Sequence, residues 1–119
     1  EFVAQGMSDM TLKPVEQKLL LLLGWVQLQC AQPAHARTFF EAVLSAEPQQ
    51  HAARKALVVA LLQLELGAQA EQHCEHLLAQ GENDPALWAC LSRAQQVQGQ
   101  LERARSTYDH FLGLRDTHA

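Results

Sequence analysis

Laid over itself with a shift of 34 residues, this 119-residue chain matches in a way that leaves few folds open. With frames starting at Gln17, His51 and Pro85, Ala36, Ala70 and Ala104 coincide, and so do Leu23, Leu57 and Leu91. Leu44, Leu78 and Leu112 fall in a third column, Phe40, Cys74 and Tyr108 in a fourth of mostly large residues, and Val43, Leu77 and Phe111 in a fifth. A unit recurring at this period is one supersecondary element that cannot bury its apolar face alone and must stack on its neighbours.

Glycine and proline punctuate the chain, and the segments between them carry helical rather than alternating periodicity. Helices are expected over about 15–31, 33–46, 51–66, 68–80, 85–98 and 101–113, the fifth opened by the cap-and-proline pair Asp84-Pro85. β-branched residues are few and no hairpin dipeptide occurs, so no sheet is expected. A small residue at the twentieth position and large ones near positions 7, 24 and 27 of a 34-residue unit form the tetratricopeptide signature. Ala36, Ala70 and Ala104 are the packing residues: the two helices of a unit cross there, and only a small side chain lets the backbones approach. The signature is incomplete. Trp at position 4 appears only as Trp88, Gly at position 8 only as Gly24, and the terminal Pro only as Pro48. The expected fold is all-α, with three tandem tetratricopeptide-like helix-turn-helix repeats (about 17–50, 51–84 and 85–118) forming a short right-handed superhelix with a concave groove. Residues 15–119 make one domain. Residues 1–14 precede it, and with Met7 and Met10 inside them, the residues ahead of one of these methionines are expected to be a cloning remnant.

Nine Lys and Arg against thirteen Asp and Glu give a net charge of −4 with no basic stripe, which argues against nucleic acid as the main ligand. The uninterrupted apolar run, Leu19 to Val26, is far shorter than the roughly 20 residues a spanning helix needs. Cys30, Cys74 and Cys90 are odd in number and lack a CxxC spacing, so a cytoplasmic, reducing compartment is expected.

The run LLLLLGWVQLQC, residues 19–30, cannot lie on one face of a helix, because successive side chains point about 100° apart. In a repeat of this kind the first helix packs on its own second helix and also faces the groove. Leu20, Leu23 and Gly24 are assigned to the intra-repeat core, and Leu21, Leu22, Trp25 and Leu28 to the groove. The same columns place Lys55, Ala56, Val59 and Leu62 there from the second repeat, and Ala89, Cys90, Arg93 and Gln96 from the third. The groove is thus apolar at its N-terminal end and more polar toward Arg93. Such a patch marks a surface for a helix or extended segment of a partner. The same leucines would also suit a homodimer, or a cap formed by residues 7–14.

Catalysis finds little support. His73, Cys74, Glu75 and His76 are close in sequence but do not converge on one tetrahedral ion from a helix, so no metal and no cofactor is expected. Cys90 lacks a base, Tyr108, Asp109 and His110 point in three directions, and no phosphate loop, nucleophile elbow or zinc-protease motif is present.

GWVQLQC (24–30) and LWACLSRAQQVQGQLERARSTYDHFLGLRD (87–116), taken with the 34-residue register, resemble the SctY (YscY) family of small type III secretion chaperones. The likeness spans roughly residues 15–116 and is most specific in the leucine-rich first helix and in LSRAQQVQ (91–98). It implies a non-catalytic bacterial cytoplasmic chaperone that forms a heterodimer with the secreted component SctX (YscX) of the injectisome. Together with SctX, it would engage the cytoplasmic part of the export gate SctV. A tetratricopeptide chaperone for a needle subunit or a translocator is the nearest alternative.

Overall fold

The computed structural model describes residues 12–118, which form six helices and no strand. They are α1 (Pro14–Gln29), α2 (Pro33–Ala46), α3 (His51–Gln63), α4 (Gly67–Ala79), α5 (Ala86–Val97) and α6 (Leu101–His118). The expected segment 1–14 lies outside the described residues up to position 11. Proline sets φ at the starts of α1 and α2, where a missing N–H costs nothing. At α1, Glu16 reaches back to accept the Lys13 N–H at 2.8 Å, and at α5 the Asp84 carboxylate accepts the Ala86 N–H at 3.0 Å.

The first helix of every repeat stops in the same way. Ala31, Glu65 and Gly99, each 34 residues from the next, all take positive φ (58°, 60° and 80°). The N–H groups of Gln32, Leu66 and Gln100 then close back onto the carbonyls of Gln27, Leu61 and Gln95 at 2.8, 2.9 and 2.9 Å. This left-handed terminus satisfies carbonyls that would otherwise be orphaned and turns the chain into the second helix. The last helix runs past its expected end at residue 113 to His118. A glycine in a helix interior costs only about 1 kcal/mol relative to alanine, too little for Gly113 to stop it.

Consecutive helices pack on one another along the chain, and α3 also touches α1 and α5. The backbones of α2 and α4, and of α4 and α6, do not approach closely, and long side chains bridge them, Arg37 to Gln69 and Arg103 to Glu71. First helices therefore lie closer together than second helices, and the array bends with α1, α3 and α5 on its inner side. Surrounded by α1, α2, α4 and α5, α3 supplies the centre of the core with Ala53, Ala56, Leu57, Val58, Ala60 and Leu61. Phe40, Cys74, Val43 and Leu77 fill the spaces beside the buried alanines Ala36, Ala70 and Ala104. A side chain on Gly24 would run into the Phe40 ring, so this position admits glycine alone without repacking. In the third repeat Ser92 takes the glycine's place and donates to the Ala104 carbonyl at 2.6 Å, while Trp88 meets the His110 ring edge-on at 4.2 Å.

The leucine columns behave differently at the ends of the array. Leu57 and Leu91 are buried, but Leu23, expected in the intra-repeat core, is partly exposed. Position 7 faces the preceding repeat, and no described helix occupies that place beside α1. Tyr108 is likewise exposed on α6, whereas Phe40 and Cys74 in its column are fully buried.

Candidate protein-binding surface

Of the residues expected in the groove, α1 carries Leu21 and Trp25, α3 carries Lys55, Val59 and Leu62, and α5 carries Arg93. Leu21, Val59 and Leu62 are half-buried against the central cluster. Trp25 is 41% exposed and meets Phe40 edge-on, with centroids 6.0 Å apart at 63°, so the indole has one inward contact and one open face. Lys55 lies between Glu82 (3.2 Å) and Asp84 (3.7 Å). Its ammonium, together with His51, holds the Glu82 carboxyl below the usual range. Arg93 is 3.6 Å from Glu65, and its side chain is 51% exposed.

One whole column of the expected groove lies elsewhere. Ala56 is 0% exposed within the core, and Cys90 is partly buried against the same cluster. Leu22 is 60% exposed, on the outer end of the array with Leu19 and Val26 rather than with Leu21. One residue further along a helix is a turn of about 100°, so the position after a groove residue faces the preceding repeat. Leu28 is also almost wholly buried and serves the core first.

Cys74 and Cys90 are held as thiols. Burial pushes Cys74 up to about 12, and burial with the nearby Asp84 carboxylate raises Cys90. His73 Nδ1 lies 2.9 Å from an Arg54 guanidinium nitrogen, so it accepts there. Burial, Arg54 and His76 lower the His73 pKa against the opposing pull of Glu41. Cys74 points into the core while His73 is tied to Arg54, so the two do not share a site.

Two features lie outside the expected groove. Glu71 is almost wholly buried and accepts from Gln98 at 2.8 Å and Arg103 at 3.1 Å, tying α4 to the third repeat; nothing in its column, Arg37 and Arg105, signals this. The second is the exposed stripe Val15, Leu19, Leu22 and Val26. Its 4-3-4 spacing was in plain view.

The chain matches the tetratricopeptide repeat family over residues 27–94. It is also similar to the chaperone protein YscY of Yersinia enterocolitica and of Yersinia pestis, in each case 40% identical over 108 residues, 91% of this chain and 95% of the relative. Among the described residues no helix is long and apolar enough to cross a membrane. With three helix pairs at a 34-residue period, and a likeness that runs almost end to end through both proteins, the chain belongs to the YscY (SctY) family of chaperones.

Proposed function

We propose that this protein is a cytoplasmic, non-catalytic type III secretion chaperone that holds an SctX-like secreted protein in its groove and, as that pair, engages the export gate SctV. The observation that carries this reading is the 40% identity extending over 91% of the chain to proteins named as YscY chaperones. The groove supports it: Leu21, Trp25, Val59 and Leu62 offer an apolar floor, and Arg93 at the polar end offers a partner for a carboxylate. A client helix that exposes apolar side chains aggregates when alone, and burying each large one releases roughly 1.5–3 kcal/mol.

The test is co-expression with the SctX-like protein encoded in the same genome, read by co-purification and light scattering. A one-to-one complex is expected. Trp25→Glu should abolish it with helicity retained in circular dichroism, a needed control because the indole also packs on Phe40. Arg93→Glu, with no such inward contact, should weaken it at least about tenfold, as loss of a well-placed charged contact does. Unchanged binding by both variants would remove the groove assignment, and a homodimer indifferent to the client would remove the chaperone reading.

A further inference from the structure

Val15, Leu19, Leu22 and Val26 follow one another at intervals of four, three and four residues. At 100° per residue they lie within about 60° of one another on α1. All four are substantially exposed, Leu19 at 55%. The face they form points away from α2, opposite the buried Gly24 and Leu28.

The repeat register shows what belongs there. Shifted by 34, Leu19, Leu22 and Val26 become Ala53, Ala56 and Ala60, and shifted again Leu87, Cys90 and Ala94. All of the second set and most of the third are buried, in helices that pack against the second helix of the preceding repeat. The end face therefore continues an interface that the molecule already makes twice. Its composition differs in a telling way: inside the array these positions are mostly small, so that stacked repeats come close, whereas α1 carries leucine and valine. A repeat of the internal type would be held off by that bulk. What fits is a single helix laid lengthwise with its own apolar seam at three- and four-residue spacing, as in paired helices packed at about +20°.

The two ends of the array are not alike. The outer face of α6 mixes Leu101 with Glu102, Arg105, Ser106 and Asp109, a polar end of the kind that lets a repeat array stop in water. The α1 stripe has no charged residue within it. It is also small: Val15 to Val26 spans about 16 Å of helix, so two copies pairing through it alone would fall short of the about 800 Å² per partner of a standard interface. A partner that also occupies the groove gains both areas, and Trp25 sits between the two surfaces.

We infer that the exposed face of α1 is a second binding site, distinct from the groove, which takes one amphipathic helix of the client in the place where a preceding repeat would stack. This rests on the client-binding reading above. It assigns Val15, Leu19, Leu22 and Val26 to a site of their own, with the client gripped on two faces of α1.

The test uses the full chain with the same SctX-like client. Leu19→Glu/Leu22→Glu changes two residues that are more than half exposed, so the fold is retained, as the thermal midpoint checks. Leu101→Glu, 64% exposed at the other end, is the control. The expected result is at least a tenfold loss of affinity for the double variant and less than twofold for Leu101→Glu. Amide exchange over residues 14–29 should slow more in the wild-type complex than in a complex of the double variant formed at saturating client, in which only the groove contacts of α1 remain. Equal affinity of wild type and double variant overturns the end-face site and leaves the functional reading standing. No binding by the wild type overturns both. A client-free dimer dissociated by the double variant would make a second copy the occupant. Loss of protection over 14–29 on deleting residues 1–11 would make the chain its own cover. Either result overturns the inference.

Discussion

His73 shows how one side chain is set by what surrounds it rather than by its neighbours in sequence. Burial, Arg54 and His76 favour the neutral ring, so the folded protein binds its proton less readily than the unfolded chain does. The sign follows: the unfolded state carries more protons below about pH 6.5, and stability must fall as pH drops through that value toward the lowered folded pKa. His73→Gln keeps a polar group facing Arg54 and removes the titration. Denaturant midpoints between pH 7.5 and 5 should decline less steeply in this variant than in the wild type. Parallel slopes would show that His73 does not contribute to the acid sensitivity.

At the scale of the helix, the ends decide the architecture. Three left-handed termini at the same register position turn each first helix into its partner, yet only the third has glycine there. Ala31 and Glu65 adopt a conformation that costs an L-residue roughly 1–2 kcal/mol. Ala31→Gly relieves that strain and gives back part of the gain as unfolded-state entropy. A net stabilisation of about 0.5–1 kcal/mol is expected from urea unfolding, and destabilisation would mean that Ala31 is not confined to the left-handed region. Glu65 is the less suitable site, because its carboxylate also faces Arg93.

For the whole molecule, stability is a matter of coupling between neighbours, since each repeat touches only the next. Glu71 is the polar element of that coupling between the second and third repeats. Its bond to Gln98 matters more than the pairing with Arg103, whose side chain is mostly in water, where such pairs are weak. Glu71→Ala should cost about 1–2 kcal/mol and should also let the third repeat open first. The two tryptophans, Trp25 in the first repeat and Trp88 in the third, report on opposite ends. In single-tryptophan variants the two urea transitions should coincide with Glu71 present and separate, Trp88 first, once it is removed. Coincident transitions in both backgrounds would place the coupling in the apolar contacts alone.

The 34-residue recurrence of Ala36, Ala70 and Ala104 determined the helix pairs, their number and where they cross, because close backbone approach demands a small residue whatever surrounds it. Gly24 and the punctuation around residues 31–33 and 47–50 were legible for the same local reason. The end of α6 was not, since a single glycine is a weak stop signal. Nor could spacing alone separate Leu21 from Leu22. Adjacent leucines are chemically identical in a sequence, and only the placement of α2 and α3 around α1 decides that Leu21 packs against the central cluster and Leu22 lies exposed at the outer end of the described helices. The burial of Ala56, the tie from Glu71 to Gln98 and the neutral His73 belong to the same class. Each depends on residues 19 or more positions away, brought close by the stacking of repeats.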